Sequence, residues 1–249
     1  MAYIRQNYRK QKQNASLTID TVNRIMKDLR ANADQKYKEE EAKIGINIKN
    51  AYGVQMPFLR KIARRTGFDQ RVADELWKSG IHEAQILASM IYDPDKMEEK
   101  GMDRLVNSVD SWDVCDSLCS ELFSNTTYAD KKIGEWVKAD KEFVKRAGFA
   151  MIAYKARRDP DASNSDFRIL FNTITTASTD DRNYVKKAVS WALREIGKRN
   201  ITLNADAIKL AEEIGKLDSQ AAQWISKSII SELKSDRVQK NLMERTGRR

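Results

Sequence analysis

Four residues have types and spacings that could do chemistry: Trp112, Asp116, Arg146 and Trp191. Trp112 and Asp116 stand four apart, so on a helix they share one face. That places a carboxylate beside an indole at the margin of an apolar stripe, Cys115, Leu118, Cys119 and Leu122. An ordinary Trp anchor next to an exposed Asp is the alternative. Arg146 sits in the segment 141–156, where Phe143, Ala147, Phe149, Ala150, Met151, Ile152 and Ala153 leave almost no polar face. Such a helix is buried, and a buried guanidinium needs an anion or a water-filled cleft. A structural salt bridge would also satisfy it. Trp191 lies in 183–198, read on a wheel at about 100° per residue. Val185, Ala188, Val189, Ala192 and Ile196 form one stripe, and Lys187, Trp191, Arg194 and Lys198 form another. A ring among cations, away from the core stripe, suits a phosphodiester surface: cations meet phosphates and the ring meets sugar or base. The alternative is a Trp packed on a neighbouring repeat, with lysine stems over it.

The kit is sparse. It has no metal-ligand set, no Gly-rich phosphate loop and no activated serine. One reaction suits it, cleavage of an N-glycosidic bond to a cationic base. The base leaves neutral, so no acid catalyst is needed. The sugar passes through an oxocarbenium-like state, which a carboxylate can stabilise while it positions water. Aromatic faces stabilise cations by roughly 0.5–2 kcal/mol each.

These residues need elements to hold them. The chain has 249 residues, 41% hydrophobic and 33% charged, a globular rather than disordered balance. Three Pro and 10 Gly are too few to turn a β-sandwich or barrel, so the elements are helices. No stretch approaches the ~20 apolar residues of a membrane span. Residues 1–14 are polar and basic, unlike a secretory signal. Cys115 and Cys119 form no disulfide scaffold or Cys/His cluster, and read as small buried groups in a reducing cytosol. His82 is the only histidine, which nearly excludes a His-based metal site or a Ser-His-Asp triad. Lys plus Arg number 45 against 36 Asp plus Glu, a net +9. That excess fits a polyanionic partner, most simply nucleic acid, or an ordinary soluble surface.

Residues 1–15, with Arg5, Arg9, Lys10 and Lys12, are expected as a flexible basic arm, residues 16–235 as a single domain and residues 236–249 as a frayed tail. Gly53 with Pro57, Asp93-Pro94 and Asp159-Pro160 mark breaks between helices. Phe143-Val-Lys-Arg-Ala147 and Tyr184-Val-Lys-Lys-Ala188 align at a spacing of 41, with fainter echoes at 81–85 and 219–223. Repeats of ~40 residues built as helix pairs are HEAT-like. In that register Gln85, Asp116, Arg146, Lys187 and Gln223 are equivalent positions on inner helices, lining a wet concave surface.

At these residues the sequence resembles the AlkD-like DNA alkylation repair glycosylases. The resemblance rests on 51–60 (AYGVQMPFLR), 76–84 (LWKSGIHEA), 111–116 (SWDVCD), 142–149 (EFVKRAGF) and 183–200 (NYVKKAVSWALREIGKRN), in order through most of the chain. It implies an all-α, HEAT-like helical-repeat solenoid with a concave basic groove that wraps duplex DNA. It implies excision of cationic N3- and N7-alkylated purines without flipping the base into a pocket, in contrast to the usual strategy. By the same resemblance Asp116 is the catalytic carboxylate, Trp112 and Trp191 are the active-site tryptophans and Arg146 is the active-site arginine. Ile44 stands where some members carry an aromatic, Ser111 where some carry a second Trp, and Gln85 where many carry Arg. Some branches have lost the carboxylate that Asp116 provides here.

The expectation is therefore a monofunctional DNA glycosylase acting on duplex DNA that contains alkylated purines. Lys145, Lys186, Lys187, Arg194, Lys198 and Arg199 are expected as its DNA-binding cations. No cofactor, metal or membrane is expected, and the protein is expected as a monomer in the cytoplasm, nucleoid-associated when bound to DNA. A non-catalytic HEAT-like DNA- or RNA-binding module is the alternative, and a protein-interaction scaffold a third reading.

Overall fold

The computed structural model describes residues 2–246, with side chains from 15 to 245. Among the described residues there is helix, turn and loop but no strand. None of these helices is long and apolar enough to cross a membrane.

By packing the chain divides into two compact units. The first runs through Gly101 and adds Asp110–Leu122. It contains α1 (Ala2–Ala31), α2 (Gln35–Lys43), α3 (Met56–Thr66), α4 (Gln70–Lys78) and α5 (His82–Ile91). The division falls inside α6 (Glu99–Asn107), and α7 (Trp112–Ser117) returns to the first unit. There α5 is the central helix, packed on α3, α4 and α7. Its Ala84, Ile86, Leu87, Ala88 and Ile91 are buried. After α7 the chain widens into a π-helical turn, Leu118–Leu122. The expected stripe of Cys115, Leu118, Cys119 and Leu122 is buried, and both cysteines are free thiols.

The second unit takes Met102–Val109 and the chain from Phe123 onward. It holds α8 (Ala129–Trp136), α9 (Glu142–Arg158), α10 (Asn164–Arg168), α11 (Phe171–Ala177), α12 (Asn183–Gly197), α13 (Ile201–Ile214), α14 (Gln220–Leu233) and α15 (Asp236–Thr246). Its most extensive contact is α9 on α12, and α12 also packs on α13 and α14. The two expected stripes of α12 separate as the wheel requires. Val185, Ala188, Val189, Ala192 and Ile196 are fully buried, while Lys187, Trp191, Arg194 and Lys198 are half-buried or exposed.

Side-chain caps start many of the helices. Asp34, Asp69, Asn200 and Ser219 accept N–H bonds from the first turns of α2, α4, α13 and α14, and Ser163 with Asp166 closes a capping box on α10. Each such cap stabilises its helix by about 1 kcal/mol. The expected breaks recur as well. Pro57 sits in the first turn of α3, Asp93 caps a 3-10 turn at Pro94–Lys96, and Asp159 caps the C-terminus of α9.

The chain ends differ from expectation. The backbone of residues 2–15, expected as a flexible arm, continues α1 as helix. The side chains of Arg5, Arg9, Lys10 and Lys12 lie outside the described residues. The stretch 236–246, expected frayed, forms α15, because Val238 and Leu242 make a small apolar stripe that is buried. Residues 247–249 lie outside the described residues.

Gly148 shows how closely α9 is seated. A Cβ there would lie 2.7 Å from the Val137 backbone nitrogen and 3.0 Å from the Trp136 carbonyl carbon, at the end of α8. Backbone cannot give way as a flexible side chain can. Gly148→Ala is therefore expected to destabilise the second unit by about 1–3 kcal/mol, read as a lower urea midpoint with helical circular dichroism retained.

Candidate functional site

Counted from the helix starts, the expected register holds at three of its five positions and slips by one residue at the other two. Asp116, Arg146 and Lys187 each follow their helix N-cap (Ser111, Lys141, Arg182) by five positions. Gln85 and Gln223 follow Ile81 and Ser219 by four. The five positions have different surroundings: Arg146 is buried, Gln85 and Asp116 are half-buried, and Lys187 and Gln223 are exposed. Asp116 and Trp112 belong to the first unit, Arg146 and Trp191 to the second.

In the first unit, α7 carries Trp112 and Asp116, four apart and both half-buried, and buries Val114 and Cys115. Its first turn is tied down on several sides. The Trp112 indole N–H donates to the Ile44 carbonyl at 3.3 Å. The Ser111 hydroxyl donates to Asp113 Oδ1 at 2.6 Å and accepts from the Asn47 backbone N–H at 3.3 Å. Asn47 Nδ2 donates to Asp110 Oδ2 at 2.8 Å. Asp113 Oδ2 lies 2.8 Å from Nε2 of buried His82.

A set of ionisable groups surrounds that last contact. Burial would lower the His82 pKa, but Asp113, with Glu83 and Glu41 behind it, outweighs burial and holds the imidazole above its ordinary value. Burial would raise Asp113, but the His82 bond and charge, the Ser111 hydroxyl and the Val114 N–H hold it below the usual carboxylate range. Both directions describe an imidazolium–carboxylate pair. Glu41, from α2, is pushed up to about 7 by burial, with Glu83 and Asp113 adding to the rise and His82 opposing it. Burial, together with Glu41, Asp113 and Glu40, raises Tyr37.

In the second unit, Arg146 is only 6% exposed, and its NH1 donates to the Tyr184 carbonyl at 2.9 Å. The Phe143 ring stacks on Tyr184 at 5.4 Å. Trp191 meets Tyr154 edge to face at 5.1 Å, and the Arg158 guanidinium lies 4.7 Å from the Tyr154 ring centroid. Trp191 thus has both expected characters, packed on a neighbouring helix and partly open.

The six expected cations have unequal surroundings. Lys187 is exposed. Lys186 lies over Trp224, which is 41% exposed, at 5.4 Å. Arg194 and Lys198 both pair with Glu232, and Lys198 also with Glu195 at 3.1 Å. Lys145 pairs with Asp180 at 3.2 Å. Arg182 and Lys145 together bring Asp180 down to about 2 against its partial burial. Arg199 is bound inward: it donates to the carbonyls of Ala156, Asp159 and Ala162 at 2.8–2.9 Å and so braces the end of α9.

Sequence reasoning missed the Glu41–His82–Glu83–Asp113 group, Tyr154 beside Trp191, Trp224 beside Lys186, and Glu232 beneath the α12 cations. Adjacent His82-Glu83 was the one local signal.

A family model described as "DNA alkylation repair enzyme" matches residues 25–228. Among solved structures the chain is similar to a protein described as "a new family of proteins related to the HEAT-like repeat DNA glycosylases with affinity for branched DNA structures". The identity is 21%, over 83% of this chain and 93% of that one, with a TM-score of 0.71. That likeness shows the fold as HEAT-like helical repeats. An engineered protein aligns at a TM-score of 0.39 (13% identity, 90% of this chain and 93% of that one). A designed armadillo repeat protein in complex with the peptide (KR)4 aligns at 0.35 (15% identity, 76% and 80%). Neither of these two carries an argument. No curated protein matches the chain.

Glu41 and His82 have pKa values raised by folding, so both favour the native state in their protonated forms. The Glu41 contribution is complete below its unfolded value and is lost as pH rises through about 7. The His82 contribution is lost as pH rises through its own raised folded value. Asp113 acts oppositely and protects the native state only above its lowered value. Thermal stability is expected to fall between pH 5 and pH 8, by an amount on the order of 2 kcal/mol. Glu41→Gln should remove most of that slope. A melting temperature that is flat with pH in the unaltered protein would contradict the buried-carboxylate account.

Proposed function

The chain belongs to the DNA alkylation repair enzyme family, and from that premise we propose that it is a monofunctional DNA N-glycosylase which excises cationic N3- and N7-alkylated purines from duplex DNA. The observation that supports this reading is the half-buried setting of Trp112 and Asp116, four apart on α7, whose first turn is pinned through Ile44, Ser111 and Asp113. A positioned carboxylate stabilises an oxocarbenium-like sugar without reorganising at the moment of reaction. Asp116 takes that role and holds the attacking water. Alkylation has already made the base a good leaving group, so no acid is needed and none is assigned. The Trp112 face interacts favourably with cationic charge.

In the second unit, Trp191, Lys187 and the Lys186–Trp224 pair offer rings and cations on α12 and α14, a combination that suits backbone and sugar contacts. Arg146, which the resemblance marks as an active-site residue, is assigned to anion recognition within the second unit. Neutralisation of Arg194 and Lys198 by Glu232 lowers the charge that α12 presents, so phosphate contacts fall mainly to Lys187 and Lys186.

A second reading is favoured by the solved structure whose description names affinity for branched DNA. In that reading this protein would bind junction-like DNA and release no base. The two readings separate in one experiment. Duplex DNA methylated with dimethyl sulfate is incubated with the protein, and free 7-methylguanine is measured beside binding to linear and four-way-junction DNA. The expected result is base release by the unaltered chain and a loss of about 100-fold or more for Asp116→Asn with binding retained. Equal release by Asp116→Asn would remove that carboxylate from the mechanism. No release, with junction DNA preferred, would establish the second reading. Lys187→Ala is expected to weaken binding uniformly across sequences and to reduce the slope of log K against log salt by roughly 0.9.

A further inference from the structure

The proposed reaction uses Trp112 and Asp116 and leaves unexplained a buried ionic group directly behind them. His82 is 4% exposed and Glu83 1%. The His82 backbone N–H donates to the Asn50 carbonyl at 3.0 Å, which fixes the first residue of α5 against the loop before α3. Glu83 Oε1 accepts the backbone N–H groups of Tyr52, Gly53 and Val54 at 2.8, 2.5 and 3.2 Å. The backbone that carries the imidazole is thus held at a set place. From there the ring reaches Asp113, the residue that follows Trp112, at 2.8 Å. Asp113 in turn holds Ser111, the residue that precedes Trp112, and Ser111 holds Asn47.

We propose that His82 and Asp113 are positioning residues for the reacting face of α7: their ion pair, extended through Ser111 to Asn47, sets where the Trp112 ring and the Asp116 carboxylate stand. The reaction in which they assist is the base release proposed above, and this inference rests on that reading.

Geometry favours positioning over general stability. The pair grips α7 on both sides of Trp112, within its first turn. Asp116 lies one turn further along the same short helix, which widens into a π-helical turn at Leu118. A helix of six residues has little stiffness of its own, so its orientation follows its anchors. The groups that face His82 are Asp113 from α7, Glu83 beside it on α5, and Glu41 from α2, with Tyr37 one turn from Glu41. All are acidic, and Glu83 is already occupied by three N–H groups. Loss of the imidazolium proton would leave Asp113 near Glu41 and Glu83 with at most a neutral N–H facing it, and would weaken its grip on the turn.

The test uses the full chain labelled with 5-fluorotryptophan. The 19F resonance of Trp112 is assigned by its disappearance in Trp112→Phe. In the unaltered protein this resonance is expected to move as His82 loses its proton on the alkaline side. In His82→Gln and Asp113→Asn it should be displaced and insensitive to pH over that range. Single-turnover release of 7-methylguanine should fall by about tenfold or more in both variants, with duplex affinity little changed. In the unaltered protein the rate should decline as pH rises through the same titration. If either variant loses its helical circular dichroism, Ser111→Ala makes the same comparison, since it removes one hydroxyl between Asn47 and Asp113. A Trp112 resonance that coincides in all forms at every pH would overturn the proposal. An unaltered protein that releases no base, yet whose Trp112 resonance follows His82, keeps the positioning role and removes the glycosylase reading.

Discussion

A carboxylate withdrawn almost wholly from water organises the first unit. Burying a polar group is unfavourable unless it is hydrogen-bonded, and Glu83 Oε1 accepts three consecutive backbone N–H groups, although its buried Oε2 has no hydrogen-bond partner among the described residues. Three successive N–H groups can converge on one oxygen only if the chain turns sharply. Gly53 provides that turn at φ +78°, and a Cβ there would stand 2.2 Å from the Asp34 carbonyl oxygen. Asp34 caps α2 and donates its own N–H to the Tyr52 carbonyl at 3.0 Å. One constraint therefore ties α2, the loop at 44–55 and α5 together. His82, Ile44 and Asn47 inherit fixed places from it, and through them so does α7.

The second unit answers a different electrostatic question. Its long helices carry a surplus of lysine and arginine, and much of that charge is neutralised within the fold. Glu232 takes Arg194 and Lys198, Asp180 takes Arg182 and Lys145, and Arg199 is spent on three carbonyls at the end of α9. The lowered pKa values of Asp180 and Glu232 are the mark of that pairing. A count of formal charge overstates what such a surface offers to a polyanion. The Lys186–Trp224 contact shows the complementary case, where a cation lies on an exposed ring.

How much of this could be read from the sequence follows from how local each feature is. Trp112 with Asp116, and the two stripes of α12, are properties of one helix, and helical spacing reveals them. The burial of Arg146 follows from the apolar run around it, but the carbonyl it meets belongs to Tyr184, one repeat away. The grouping of Glu41 with His82 and Asp113 joins α2, α5 and α7, and nothing in their spacing announces it. Polar composition also misled at the C-terminal end, where Val238 and Leu242 suffice to dock a helix that looks solvated throughout.

The separation of roles between two neighbouring carboxylates connects these points. Asp113 and Asp116 stand three apart, near one another on a short helix, where like charges repel. In the proposed reading, a carboxylate that faces a cationic sugar would then share its field with a like-charged neighbour. The pairing with His82 offsets that repulsion. It sets an imidazole held above its ordinary pKa against Asp113, whose oxygens meet His82 and Ser111, while Asp116 stands half-buried one turn further on. In the proposed reading two like residues acquire unlike functions from their surroundings: one holds the helix, and the other acts from it.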